Sequence, residues 1–283
     1  MTNFDKFIKD ITENNWKVHG VELYEDGKLT NSFGDCTTRF PIYSATKTIL
    51  SIAVGIAWDQ GKVDLSQPFQ KYAPESCLKE FAQSPVMQLP LQRLLTMSVK
   101  AFPFRPEGDS YLRFSLSQKL EKWETPKFDY SNIPAYLVGV ALSQAIGGDV
   151  WELIDNQIFQ PLGIKNAEYT RCPDGFFYGA SGMQLSVSEL SKIGLLLYNG
   201  GNFQGQQIVS EDYVKRATSI QQPNREGGYG YFIWKYKAGF SINGKWGQKC
   251  YVLPERKLMI TFLSDLRESS SNVRESMEKY LLT

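Results

Sequence analysis

The sequence predicts an α+β fold: one antiparallel sheet built from both chain ends and flanked by helices, with a mostly helical lobe inserted between its two halves. Three observations lead there. Strand-length segments bounded by turn residues occur near both termini, apolar residues at helical spacing fill the middle, and a helical pattern opens and closes the chain. With 283 residues, 42% hydrophobic and 13% aromatic, the chain buries a full core without metal or disulfide staples. The expected division is a sheet lobe of residues 1–43 plus 205–283 and a helical lobe of residues 44–204, forming a single catalytic unit with its site between them.

Phe4, Phe7, Ile8 and Ile11 recur at helical spacing and give an amphipathic first helix. "VELYEDGKLTNSFGD" reads as two short strands turning at Asp26-Gly27. From Thr46 to Gln60 the apolar residues Ile49, Leu50, Ile52, Ala53, Ile56 and Ala57 keep helical spacing, and Gly61 stands where a helix C-terminus favours it. The stretch from 62 to 200 holds many helical patterns broken by Pro and Gly, among them "IPAYLVGVALSQAIGG" and "SVSELSKIGLLLYNGG". The period then changes: "GYGYFIWKYKAGFSI", "KCYVLP" and "KLMITFLSD" are aromatic and β-branched at strand length. "SSSNVRESMEKYLL" closes the chain as a helix capped by Ser or Asn, with Val273, Met277 and Tyr280 along one side.

Composition narrows the function. Lys+Arg 31 against Asp+Glu 30 leaves a net charge of +1, without the basic surplus that phosphate-backbone binding needs, so nucleic acid is not an expected partner. No run of about 18 apolar residues occurs, and "MTNFDKFIKDITENNWK" lacks the apolar stretch of a signal peptide. The expectation is a cytoplasmic chain without membrane contact. Cys36, Cys77, Cys172 and Cys250 are far apart and form no Cys-x-x-Cys pair, which suits buried free thiols rather than a zinc or redox site. His19 is the only histidine. A Ser-His-Asp triad could use no other, and most metal sites would lack ligands, so a nucleophilic serine here needs a different base.

Ser44 and Lys47 stand three apart at the start of a helix, where their side chains share one face and the amine can reach the hydroxyl. A desolvated lysine near other cations becomes neutral enough to accept the serine proton. The pattern alone is weak, because it recurs at Ser76/Lys79 and Ser276/Lys279, and a solvated helix pair is the ordinary meaning of any single copy. Only Ser44 follows an extended segment, "RFPIY", that delivers the chain into a buried apolar helix, a junction able to expose a side chain beside free backbone N–H groups. Tyr130-Ser131-Asn132 is the one Tyr-x-Asn in the chain. A phenol beside ammonium groups has its pKa lowered and relays a proton, and an Asn amide holds a substrate carbonyl; Asn132 could equally be only the N-cap before Pro134. Lys245-Trp246-Gly247, followed by Gln248, puts a lysine on a strand edge with a glycine two residues on, which suits an anion-binding rim but is also a common strand ending.

Ser-x-x-Lys, Tyr-x-Asn and Lys-x-Gly occur in that order on helix, loop and strand. In these motifs, and in "LLTMS", "FDYSNIPAYLVG", "IFQPLGIKNAEYT", "ASGMQLSVSELSKIG" and "WGQKCYVLPERKLMITFLS", the sequence resembles the serine β-lactamase and penicillin-binding protein family, particularly its class C, esterase and short-chain hydrolase branch, from about Val21 to Ser264. The resemblance implies the β-lactamase/transpeptidase-like form of the α+β fold. It implies Ser44 as acyl-accepting nucleophile, Lys47 as neighbouring base and Tyr130 as proton shuttle. It further implies that Asn132 positions the acyl amide, that Lys245 raises the positive potential, and that the backbone N–H groups of Ser44 and Gln248 hold the oxyanion. No metal or organic cofactor is expected. Trp246 departs from the hydroxyl residue that the family often carries between Lys and Gly, and would instead wall the pocket with an apolar face. Ser98-Val99-Lys100 replaces the family's Thr-Ser-Gly after "LLTM". The expected substrate is therefore a small ester or amide. The alternatives are a true β-lactamase or D-alanyl-D-alanine carboxypeptidase acting on β-lactams or peptide termini, and a non-catalytic ligand-binding protein on the same fold. Against an α/β-hydrolase stand the missing Gly-x-Ser-x-Gly, since "GASGM" around Ser181 lacks the second glycine, and a His19 that precedes every candidate serine. The aromatic run Tyr229, Tyr231, Phe232 and Trp234 hints at a flat or apolar substrate, though such stripes are more often core.

Overall fold

The computed structural model describes residues 2–120, 124–268 and 271–282. Six strands form one antiparallel sheet: β1 (Val18–Glu25), β2 (Lys28–Gly34), β3 (Trp234–Tyr236), β4 (Gly239–Gly244), β5 (Gln248–Leu253) and β6 (Leu258–Ser264), in the order β2-β1-β6-β5-β4-β3. β1 pairs with β6 from Val18 opposite Ser264 to Glu25 opposite Leu258, so the N-terminal hairpin docks beside the last strand. Both chain ends build the sheet, as the patterning predicts.

The alternation along the strands assigns the two faces. Val21, Leu23, Tyr251, Ile260 and Phe262 turn toward α1 (Asn3–Glu13) and the terminal helix, whose Phe7, Ile11, Val273 and Met277 complete a small core. Thr2 and Asp5 cap α1 reciprocally, each side chain accepting the other's backbone N–H. Phe240, Ile242, Cys250, Val252 and Met259 turn the other way, into the larger core. That core is built around α2 (Thr46–Asp59) and α3 (Ile133–Ile146), which pack on each other. Every residue of α2 from Thr46 to Ala57 is buried, so this helix has no solvent face and is held by packing on all sides. Gly61 adopts φ +69° just beyond it and Gly147 φ +64° at the end of α3, the left-handed stops that glycine supplies. α4 (Val187–Tyr198) lies flat on the sheet, where a Cβ on Gly194 would come within 2.5 Å of Cys250 Sγ. α5 (Glu211–Thr218) completes this body, and α6 (Ser271–Leu281) is the terminal helix.

Two local expectations need correction. Residues 229–233 are not strand: Phe232 takes φ +56° and donates its backbone N–H to Leu95 O, so the aromatic run turns through the core before β3 begins at Trp234. The middle of the chain carries its two long helices where the patterns put them, but the rest is short helical turns such as Glu75–Leu78, Leu91–Leu95 and Tyr111–Leu116, joined by loops. Proline at 68, 74, 85, 90, 103, 106 and 126 keeps interrupting the helical ladder there. Ser269 and Ser270, expected as caps of α6, lie outside the described residues. The four cysteines are free, with Cys77, Cys172 and Cys250 buried and Cys36 half-buried.

Candidate active site

The segment before α2 is fixed from both sides. Phe40–Pro41 pairs with Gln184–Leu185, and the Ile42 N–H donates to Met183 O at 3.0 Å. On the other side a Cβ on Gly244 would lie 2.1 Å from Ile42 O, so the end of β4 can run against this segment only because position 244 is glycine. Tyr43 then takes φ +48°, an outlying conformation for a bulky residue, and the single 3₁₀ turn Tyr43–Ala45 passes Ser44 into α2. Backbone strain of this kind concentrates where surrounding contacts hold a functional group in place.

Lys47 is 1% exposed. Its Nζ lies 3.2 Å from Ser44 Oγ, 2.7 Å from Asn132 Oδ1 and 2.8 Å from Ala180 O. Burial lowers its pKa to about 7, because the charged form loses its hydration. Expected help from neighbouring cations is not the cause; desolvation alone accounts for the shift. The arrangement suits a neutral amine: two N–H groups serve the two carbonyl oxygens, and the remaining lone pair faces the Ser44 hydroxyl.

Tyr130 and Asn132 reach the same point from the loop before α3. The Lys47 ammonium position lies 5.1 Å from the centre of the Tyr130 ring, and the phenol hydrogen-bonds to Ser44. The expected lowering of the Tyr130 pKa is wrong. Burial pushes it up to about 12, against which the bond to Ser44 acts only partly, so the phenol stays protonated. Trp234 stacks on its ring at 5.5 Å between centroids. Asn132 does occupy the N-cap position of α3, but its side chain makes no capping bond. Ser131 Oγ takes that part instead, accepting from the Ile133 N–H at 3.1 Å, which frees the Asn132 amide for Lys47.

The third motif arrives at the end of β4. Trp246 sits at φ +60°, ψ +29°, and its ring meets Tyr43 edge-on at 5.1 Å. Lys245 Nζ lies 4.4 Å from the centre of that ring and Arg267 Cζ 4.6 Å. The indole therefore holds two cations at its π system rather than offering a bare apolar wall. Gly247, at φ +86°, admits Ser264 Oγ where a Cβ would stand. The Gln248 side chain is buried, donating to Ser264 O at 2.6 Å and accepting from the Ser264 N–H at 3.1 Å, which pins the start of β5 to the end of β6.

Lys47 thus meets Ser44, Asn132 and the Tyr130 ring, and Trp246 stands against Tyr43, the residue before Ser44. Sequence reasoning missed the Ala180 carbonyl, Tyr178, whose phenol bonds to Asn132, and Arg267. Only the quoted "ASGM" stretch carried any signal for the first. The two other Ser-x-x-Lys copies are separated by their surroundings: Ser276 Oγ donates to Asp10 at 2.8 Å, and Ser76 lies on the turn Glu75–Leu78. His19 stacks on Phe40 at 3.8 Å and makes no contact with Ser44. Of the aromatic run, Tyr229, Tyr231 and Phe232 are core and Trp234 reaches the site. Among the described residues no cluster of His, Cys, Asp and Glu could hold a metal ion, and no single helix is long and apolar enough to cross a membrane.

The chain is similar to D-alanyl-D-alanine-carboxypeptidase/endopeptidase AmpH of Escherichia coli (strain K12), 26% identical over 198 residues, covering 64% of this chain and 51% of that protein. It is also similar to the 6-aminohexanoate-dimer hydrolase of Paenarthrobacter ureafaciens, 22% identical over 202 residues, covering 62% and 50%. The chain spans about half the length of these relatives. Among solved structures, FmtA from Staphylococcus aureus matches with a TM-score of 0.78 at 15% identity, covering 99% of this chain and 88% of that one. A β-lactamase/D-alanine carboxypeptidase from Pseudomonas syringae matches with a TM-score of 0.76 at 14% identity, covering 99% and 97%. At such identities these two likenesses establish the β-lactamase/transpeptidase-like fold alone. The Beta-lactamase family model matches residues 11–280, across both halves of the sheet and all three motifs, and the chain belongs to that family.

Proposed function

We propose that the chain is a serine hydrolase that forms an acyl-enzyme on Ser44 and hydrolyses a small ester or amide. The observation that carries this reading is the 3.2 Å approach of a buried amine, titrating at about 7, to the Ser44 hydroxyl. Lys47 takes the Ser44 proton as Oγ attacks the substrate carbonyl. The backbone N–H groups of Ser44 and Gln248 receive the oxyanion; losing one such donor costs about 3 kcal/mol in comparable hydrolases. Tyr130, held protonated and bonded to Ser44, gives its proton to the leaving group and recovers one from Lys47. The same groups, run in reverse with water as nucleophile, release the acid. Asn132 keeps Lys47 in place and presents its amide N–H to the acyl group.

A second reading is favoured by the cations beside Trp246. Arg267 is already held by Asp265 at 3.0 Å, so Lys245 is the cation of this pair left to meet a carboxylate on the leaving group, as in a D-alanyl-D-alanine peptide or a β-lactam. Intact-protein mass after incubation with a fluorescent penicillin, and in parallel with an activated short-chain ester, separates the two, using wild type and Ser44→Ala. A penicilloyl adduct that needs Ser44 supports the β-lactam reading; Ser44-dependent turnover of the ester alone supports the esterase or amidase reading. Reaction with neither transfers support to ligand binding without catalysis.

A further inference from the structure

The loop before the second motif is tied to that motif at three points. The Ala101 N–H donates to Asp129 Oδ2 at 3.0 Å, Ser131 Oγ donates to Pro103 O at 2.6 Å, and the Asn132 N–H donates to Phe104 O at 2.7 Å. Ala101 is held at φ +76° to make this course, a left-handed conformation that a non-glycine residue keeps only where its surroundings fix it. Phe102 and Pro106 are buried and anchor the loop at either side. Between them Phe104, 62% exposed, and Arg105 stand out from the surface. Neither packing nor ion pairing explains them.

The contrast with the other arginines is informative. Arg39, Arg113, Arg171, Arg216, Arg267 and Arg274 each pair with a carboxylate, and Arg93 and Arg256 donate to backbone carbonyls. Among the described residues Arg105 has no hydrogen-bond or ion-pair partner, and Arg225 is the only other arginine of that kind. Arg225 lies on a separate loop; Arg105 directly follows the carbonyl that holds Asn132. Its charge also acts on the Tyr178 phenol, which bonds to Asn132. A guanidinium with all five donors free, next in sequence to an exposed phenyl residue whose carbonyl holds the Asn132 backbone N–H, matches a carboxylate carried on an apolar spacer.

We propose that Phe104 and Arg105 recognise the acyl side of the substrate, so that the enzyme selects acyl groups ending in a carboxylate: half-esters or half-amides of short dicarboxylic acids. The spacer lies on Phe104 and the carboxylate pairs with Arg105. This rests on the reading of Ser44 as the acylated residue.

The test compares p-nitrophenyl hydrogen glutarate with p-nitrophenyl valerate, which differ at the chain end by a carboxylate in place of a methyl group. In wild type the ratio of kcat/KM is expected to favour the glutarate about two- to fivefold, the range of an exposed charge pair. The preference resides in KM and shrinks with added salt. Arg105→Gln brings the ratio to about one, and Arg105→Lys keeps part of it. An unchanged ratio in Arg105→Gln overturns the proposal. If neither ester is turned over, the hydrolase reading fails separately. Calorimetric binding of glutarate to Ser44→Ala, with and without Arg105→Gln, then decides: weaker binding in the double variant upholds the Arg105 site, and equal binding removes it.

Discussion

Raising the pH from 6 to 8 is expected to increase the rate of Ser44 acylation roughly tenfold, because it converts Lys47 from mainly ammonium to mainly amine. With a pKa of about 7, the amine is about one-tenth neutral at pH 6, half at pH 7 and nine-tenths at pH 8. An ordinary lysine at 10.5 would be neutral only about 0.03% of the time at pH 7, so burial raises the supply of base by roughly a thousandfold. The assay is the second-order rate of labelling by a fluorophosphonate probe from pH 5 to 10, with intact-protein mass to confirm one adduct on Ser44. The curve should rise through a midpoint near 7 and flatten above pH 8. Lys47→Arg, which keeps a charge that cannot be given up, should lose about 10³ at pH 8. A profile still climbing tenfold per unit above pH 8 refutes the argument, as does Lys47→Arg at near wild-type rate. The same shift has a stability counterpart. The unfolded chain binds more protons than the fold between about pH 7 and 10.5, so this site's contribution to stability rises with pH across that window. Its burial cost, of order 5 kcal/mol, applies in full below pH 7. Lys47→Met should therefore gain stability relative to wild type more at pH 6 than at pH 10, by chemical denaturation.

Asn132→Asp places a carboxylate where Oδ1 now lies 2.7 Å from Lys47 Nζ; the midpoint of the acylation profile should move up by at least about one pH unit, and an unmoved midpoint would remove Asn132 from contact with the base. Tyr130→Phe keeps the ring stacked on Trp234 and removes only the proton donor, so deacylation and acylation should fall by about 10²–10⁴ while the thermal midpoint stays near wild type. Gly244→Ala drives a methyl group into Ile42 O at 2.1 Å; the loss expected is about 2 kcal/mol or more of stability together with acylation, measured by denaturant titration and probe labelling. His19→Gln should leave the probe rate within about twofold, since its ring rests on Phe40, and a large loss would reopen a histidine-based mechanism.

Much of the fold was legible because it is written in periodicity. The turn at Asp26-Gly27 after β1, the aromatic and β-branched composition of β6 and the helical spacing of apolar residues in α2 are all local, and none needs knowledge of the partner. Ser44 and Lys47 were legible for the same reason: three residues on one helix fix their own spacing. The count of one histidine narrowed a histidine base to His19, and the structure then stacks that ring on Phe40. What the sequence could not carry was anything made by contact between distant segments. That Asn132 serves Lys47 rather than its own helix depends on Ser131 taking over the cap. The protonation of Tyr130 depends on burial, which is a property of the packed neighbours Trp234 and Tyr229. Nothing local to Trp246 signals that Arg267, twenty-one residues on, packs against its ring together with Lys245. The sequence by itself determined the main elements and the pairing of Ser44 with Lys47 across one turn, because those are set by local spacing and composition. Only the tertiary structure decided how each proton is held and what charge the site presents, because electrostatic energies depend on distance and desolvation across the fold.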